Sequence, residues 1–520
     1  MKYSIGIDIG GTNTDAVLVS RKAGQSTPTI ISAHKTATTQ QIGQGIENVV
    51  SQLLEQSSVN RDEIGDVYVG TTHATNAILQ NQGLYRVGVI RLAGHRPQTI
   101  PPCYKWPQLL IKSIIAKTMT ISGGFECHGA PITPLDKNEA RNAIEELLAA
   151  GAESIALIGV FSPMNGEQES AVADLVYEMT QGQIPVTMSH KIGGIGFIER
   201  ENSTILNSAL KKVMSYGFQE LQQAILRCGI AASLHISQNN GSVIELKQAL
   251  EMPILTMSAG PTNSFMGGAR LCGFSDAVIV DIGGTSTDVG VVHNGFARRC
   301  MNQSNIGGIT LNASMPDVLS VALGGGSHIQ FNSDESIRIG PHSSARKIFQ
   351  DAISFGGQQL TLTDIALKLG SVSIPNTNPH KVELSQIECE SVFQNVMQQI
   401  NRLVTLIQGK YVDLPIVLVG GGASLIPKKH LSQRFYIPHH AGMANAYGAT
   451  LAEISGTVDT LVSLTDRDKT LDELKQQAIE QAIRSGASKE TTRIVEVDIM
   501  PYHYVPNHMA RVLVVASGQP

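Results

Sequence analysis

Asp8-Ile9-Gly10-Gly11-Thr12-Asn13-Thr14-Asp15 returns later in the chain as Asp281-Ile282-Gly283-Gly284-Thr285-Ser286-Thr287-Asp288, with Asn13 against Ser286 the one difference. Each copy follows an apolar run (Tyr3-Ser4-Ile5-Gly6-Ile7, Ala277-Val278-Ile279-Val280) and precedes another (Ala16-Val17-Leu18-Val19, Val289-Gly290-Val291-Val292). That pattern predicts a β-hairpin with a Gly-Gly turn and an aspartate at the end of a buried strand. Paired glycines let the backbone take conformations closed to other residues, so successive N–H groups can converge on phosphate oxygens, and Thr12 and Thr285 add hydroxyl donors. On this reading Gly10, Gly11, Thr12, Asn13 and Thr14 hold phosphate from one side, and Gly283, Gly284, Thr285, Ser286 and Thr287 from the other. Asp8 and Asp281 face the same phosphates. A bare carboxylate repels a polyphosphate, so each makes chemical sense as a catalytic residue that holds Mg²⁺ through its waters or orients an attacking water. A single Gly-Gly hairpin is only a turn; two near-identical copies suggest a two-lobed phosphate clamp.

Three further segments belong with this device. Gly420-Gly421-Gly422 follows the apolar run Ile416-Val417-Leu418-Val419 and offers a flat surface for an adenosine. Gly325 and Gly326, in the run Gly324-Gly325-Gly326-Ser327, are candidates to line the same cleft, although either glycine run also reads as a tight turn. Gly70-Thr71-Thr72-His73-Ala74-Thr75-Asn76 opens a helix after a strand, so Thr71, Thr72, His73 and Asn76 are candidate substrate or cleft residues. A threonine there also serves as a simple N-cap. Cys127-His128 and His439-His440 lack the i, i+2 or i, i+4 partners of a transition-metal site and read as surface or core residues.

The elements around these segments alternate strand and helix. Residues 1–197 read as an amino-terminal α/β lobe, with apolar segments at Val67-Tyr68-Val69, Val87-Gly88-Val89-Ile90 and Ile155 to Val160. One helix there is capped by Asp136, has Glu139 at its third position and stops at Gly151. Residues 198–456 read as a second α/β lobe, entered through a long helix from about Ile198 to Arg227 and closed by a helix at about Met443 to Ser455; the resemblance described below makes it the main ATPase lobe. Residues 457–520 read as an extension of one amphipathic helix, Leu471 to Arg484, and two strands, Ile494 to Ile499 and Ala510 to Val515.

With 520 residues and 42% apolar content, the chain can bury large cores in two or more domains. Its formal net charge of −5, without long Lys/Arg runs, argues against nucleic acid or an anionic membrane as the main partner. The six cysteines form no C-x-x-C pair. Met1-Lys2-Tyr3 runs straight into the first strand, and no apolar stretch is long enough to span a bilayer, so a cytoplasmic location is expected.

The two Asp-Ile-Gly-Gly-Thr loops, Gly70 to Ala77, Ser258-Ala259-Gly260-Pro261 leading to Gly267-Gly268-Ala269-Arg270, and Thr361-Leu362-Thr363-Asp364-Ile365 together resemble the hydantoinase/oxoprolinase family, specifically its A-type subunits. The resemblance runs from Ile5 to about Gly456. It implies the α/β, two-lobed actin-like ATPase fold shared with sugar kinases, acetate kinase, heat-shock chaperones and actin, with duplicated β-hairpin phosphate loops. It implies ATP and Mg²⁺ as cofactors, a small cyclic amide, imide or related carbonyl compound as substrate, and a companion subunit; a homo-oligomer is left open. Phosphorylating the carbonyl oxygen makes its carbon electrophilic and drives the opening of a stable ring. After Gly340-Pro341 the chain departs from the family's Gly-Ala-Asp-Pro-Gly-Pro-type segment and runs on as His342-Ser343-Ser344-Ala345-Arg346.

Two other function classes remain open on the sequence. A small-molecule kinase would need a positioned aspartate base, for which no motif stands out. A non-enzymatic, actin- or chaperone-like ATP switch of the chaperone type would need a peptide-binding domain, and the stretch after Gly456 is short for one.

Overall fold

The computed structural model describes residues 2–21, 27–39, 41–94, 99–300, 304–333, 336–409, 413–502 and 508–519; Met1 lies outside them. Both predicted hairpins form. Lys2–Ile9 pairs antiparallel with Asn13–Arg21, setting Asp8 opposite Asp15, and Ala277–Ile282 pairs with Thr287–His293, setting Asp281 opposite Asp288. In both, the aspartate strand also has a parallel neighbour. Asp8 lies beside Gly70 of Ile64–Thr71, and Asp281 beside Val419 of Ile416–Val419. These strands read as continuous apolar runs because both faces of each sheet are covered.

The first hairpin belongs to a nine-stranded sheet. Its order is Arg493–Pro501, Met509–Gly518, Ile454–Ser463, Val243–Glu245, Ser233–Ser237, Ile64–Thr71, Lys2–Ile9, Asn13–Arg21, Thr29–Ala37. Strands from all three stretches, 1–197, 198–456 and 457–520, therefore share one sheet, and pairing does not follow the linear division. The helix expected over Met443 to Ser455 is corrected to Ala444–Ala449. Thr450 turns its hydroxyl back on Tyr447 O, and the chain then extends so that Ile454 pairs with Val243. The tail helix is longer than predicted, Arg467–Arg484, and buries Leu471, Leu474, Ala478 and Ala482 against this sheet.

The second hairpin belongs to a six-stranded sheet completed by Phe296–Ala297, Val318–Val321, Ile416–Val419 and Phe435–Tyr436. A third, four-stranded parallel sheet of Ile115–Ile121, Val87–Leu92, Ser154–Gly159 and Val186–Met188 carries the helix capped by Asp136. The long helix, Phe197–Arg227, runs between this sheet and the nine-stranded one. Its first half is buried and polar: Glu201 accepts from Arg91 at 2.7 Å, Arg200 donates to Gly159 O at 2.7 Å, and Asn202 accepts from Trp106 at 2.9 Å.

Candidate functional site

Each hairpin closes through the same bond, Gly10 N–H to Asn13 O at 3.0 Å and Gly283 N–H to Ser286 O at 2.9 Å. The glycines serve a purpose other than the one expected from sequence. None of Gly10, Gly11, Gly283 and Gly284 lies in the left-handed region. What the bare Cα supplies is room: a Cβ on Gly10 would lie 3.0 Å from Asn13 O, and one on Gly284 would lie 3.8 Å from Thr12 Oγ1 of the other hairpin. The two tips therefore face one another.

At these tips the carbonyls are tied back and the amides are spared. Gly11 O accepts from Arg346 Nε, Thr12 O from Thr38 N–H, Gly283 O from Gly325 N–H at 3.0 Å and Gly284 O from Gly326 N–H at 2.8 Å. Among the described residues, the N–H groups of Gly11, Thr12, Gly284 and Thr285 donate to no protein acceptor. A concavity of unpaired amides is an anion site. Thr14 and Thr287 lie deeper than the phosphate reading requires: Thr14 shares a hydrogen bond with Thr38, and Thr287 donates to Leu323 O at 2.6 Å. Both hydroxyls are engaged within the protein, where they hold their hairpins. Asn13 and Ser286, both partly exposed, complete the turns.

Gly325 and Gly326 are buried and give their amides to the second hairpin, so they buttress that loop. Gly422 does likewise, whereas the Gly420 N–H donates to Ala441 O at 3.0 Å. Gly422 N–H donates to Ile282 O at 2.7 Å, and Gly420, at φ +83°, passes so close to Asp281 that a Cβ would lie 2.2 Å from Oδ1. Gly421 stays exposed with nothing within 4 Å of its Cβ position, an open platform beside Asp281. On the first side Thr72 donates to Ile9 O, and Asn76, bonded to Thr72 at 3.1 Å, lies beside Gly11. Thr71 and His73 share a 2.8 Å hydrogen bond and back onto an apolar cavity of about 10 Å³ with Phe218 and Leu221.

Asp8 and Asp281 both sit at costly positions. Burial, then Asp15 and Asp281, hold the Asp8 carboxyl well above the usual range despite Lys35. Burial, opposed by a hydrogen bond from Ser264, pushes Asp281 up to about 6. Asp15 and Asp288 are raised by burial too. Lys35 pairs with Asp15 at 2.8 Å, leaving the carboxylates short of positive charge. Two facing oxygen donors with excess negative charge suit a hard divalent cation such as Mg²⁺.

Sequence reasoning missed the helix Ala259–Leu271, whose consecutive residues reach both aspartates. Asn263 lies near Asp8 and Gly70, and Ser264 bonds Asp281. It packs backbone to backbone on Ala444–Ala449: a Cβ on Gly448 would lie 1.8 Å from Asn263 O, and one on Gly267 2.0 Å from Ala444 O. The glycine spacing was the signal, and no motif ties it to the aspartates. A cavity of about 480 Å³ lies elsewhere, beside Asp66, His235 and Glu245. No helix among the described residues is long and apolar enough to cross a membrane.

Residues 4–180 match the model of the hydantoinase/oxoprolinase N-terminal region, and residues 200–378 match the hydantoinase/oxoprolinase model. The chain belongs to the hydantoinase/oxoprolinase family. This hydantoinase/oxoprolinase-family chain is 25% identical over 429 residues to the acetophenone carboxylase gamma subunit of Aromatoleum aromaticum, covering 76% of the chain and 57% of the relative. It is 24% identical over 394 residues to the caprolactamase alpha subunit of Pseudomonas jessenii, covering 71% and 54%. The family chain thus spans little more than half the length of these relatives. The crystal structure of the ATP-dependent caprolactamase from Pseudomonas jessenii superposes with a TM-score of 0.75 at 18% identity, over 99% of this chain and 87% of that one. The fold is α/β, shared over nearly the whole chain with that caprolactamase, and it carries the two duplicated hairpin loops.

Proposed function

We propose that this chain is the ATP-using subunit of a hydrolase that activates a cyclic amide, imide or related carbonyl compound. The observation that carries this reading is the pair of facing hairpin tips, whose spared amides and two aspartates make a phosphate clamp. The amides of Gly11, Thr12, Gly284 and Thr285, with the hydroxyls of Thr12 and Thr285, bind the phosphates, and Gly421 offers the surface for the adenosine. Asp8 and Asp281 would hold Mg²⁺, which when bound neutralises charge on the transferring phosphoryl group. Ser264 fixes the orientation of Asp281, and the start of His73–Gln80, with Asn76 at its inner face, lies where a substrate carbonyl would approach Gly11. Excluding water matters here, because hydrolysis competes with transfer to a carbonyl oxygen. Relatives named as lactamase and carboxylase subunits support a carbonyl acceptor and a companion subunit.

The test is ATP turnover against a panel of lactams, hydantoins, 5-oxoproline and ketones, with native cell fractions supplying a partner. Slow turnover alone, stimulated by one of these compounds with phosphate appearing in step with ring opening or carboxylation, is the expected result. A stable phosphorylated product from a sugar or carboxylate would transfer the chain to the kinase class. Absence of any thermal shift with millimolar Mg·ATP would remove the nucleotide reading altogether.

A further inference from the structure

Four polar side-chain atoms near Asp8 are buried without a hydrogen-bond partner: Asp8 Oδ1, both Asn263 Nδ2 and Oδ1, and Asn445 Oδ1. They converge. A Cβ built on Gly70 would lie 2.8 Å from Asn263 Nδ2, 3.3 Å from Asp8 Oδ1 and 3.7 Å from Asn445 Oδ1. Asn263 is only 1% exposed and Asp8 7%. Leaving such groups unmet is costly, so a cluster of them marks a place that a ligand completes. The identity of the atoms narrows the ligand: Asp8 Oδ1 and Asn445 Oδ1 accept, and the Asn263 amide, bonded at neither end, can turn its oxygen to the same point in place of Nδ2, so a donor completes all three. A water whose lone pair is committed to a cation can only donate. Asp8 also needs positive charge, and Lys35 is already shared with Asp15.

We infer that Asn263 and Asn445 are positioning residues for the hydrated Mg²⁺ held by Asp8, their amide oxygens accepting from its waters while the missing side chain of Gly70 leaves room for them. Asn263 and Asn445 come from the two helices Ala259–Leu271 and Ala444–Ala449, which pack on each other through glycines, so their spacing is fixed by rigid elements. The assignment rests on the nucleotide reading above and adds to it the groups that set where the cation sits. It also gives Asn263 and Ser264 a joint task, one placing the cation at Asp8 and the other orienting Asp281.

Mn²⁺ binding read by electron paramagnetic resonance, with and without a non-hydrolysable ATP analogue, tests it in the full chain. Asn263→Ala and Asn445→Ala, each checked for wild-type circular dichroism, should weaken Mn²⁺ binding about tenfold or more. Binding of the analogue in excess chelator should be unchanged. Asn263→Asp and Asn445→Asp keep an acceptor oxygen and should bind Mn²⁺ at least as tightly as the wild type, a recovery that a purely structural role would not produce. Variants that bind Mn²⁺ as the wild type does, or aspartate variants as weak as the alanine ones, overturn the inference. A wild-type chain that binds neither the analogue nor Mn²⁺ overturns the nucleotide reading instead.

Discussion

Asp8 carries a carboxylate into a buried position beside other carboxylates, and that cost has two measurable sides. Asp8→Asn and Asp281→Asn should each lower substrate-stimulated ATP turnover by orders of magnitude, because each removes the charge aimed at the cation. In metal-free protein the same substitutions should leave Tm unchanged or raise it, since a buried, repelled charge is gone; a marked fall in Tm would assign the aspartate to the fold. The pH dependence follows from the sign of the shift. Burial pushes the Asp281 carboxyl up to about 6 in the folded chain, above the usual carboxylate range, so between the two the native state keeps a proton that the unfolded chain has lost. Stability from this group is therefore greatest at low pH and falls as pH rises through the window. A cation must displace that proton. The thermal shift produced by Mg²⁺ with nucleotide should be small at about pH 5 and grow as pH passes about 6; a shift equal at both ends of that range would exclude Asp281 from holding the cation.

Two helical elements translate local packing into the site. Gly448 and Gly267 allow Ala444–Ala449 and Ala259–Leu271 to touch backbone to backbone, so Gly448→Ala should destabilise the chain by about 3 kcal/mol and loosen the spacing of Asn263 and Asn445. Chemical denaturation would measure the loss, and a change within error would mean that the helices separate cheaply. Within Phe197–Arg227, Glu201→Gln should cost about 3–5 kcal/mol, because Arg91, 1% exposed, would be left as a buried, uncompensated charge. The hairpins were legible in the sequence because a repeated octapeptide flanked by apolar runs is a local signal. So were the Asp136 cap and the span of the long helix. The partners of the aspartates were not legible: Asn263 and Asn445 meet Asp8 only through helix packing across long sequence separations, which local periodicity does not encode. The glycine loops at Gly325 and Gly422 were legible as turns near the cleft, but only tertiary hydrogen bonds reveal that their amides hold the second hairpin. The helix to Ser455 was overextended because Leu451, Ala452 and Ile454 suit a helix or a strand equally until Val243 selects the strand.

The whole molecule brings together two hairpins that lie about half the chain apart in sequence. Thr12 and Gly284 meet at the tips, and Arg346, in the segment that departs from the family pattern, donates across to Gly11 O. On the proposed reading, nucleotide entry would have to part these contacts between the two hairpins. Hydrogen exchange with Mg·ATP should slow at 10–14 and 283–287 together; slowing in one hairpin only would show that the clamp acts from one side. The sheet bearing the first hairpin has a different consequence, in the order of synthesis. Gly6 lies against Ala446 O, and Val243 waits for Ile454, so the amino-terminal strands leave the ribosome long before the segments that cover them exist. Such distant pairings make folding slow and expose unpaired strand edges in the nascent chain. Ribosome-bound fragments ending before residue 444 should accordingly be protease-sensitive in their first hairpin and recruit chaperones, and that sensitivity should disappear once the tail strands have emerged.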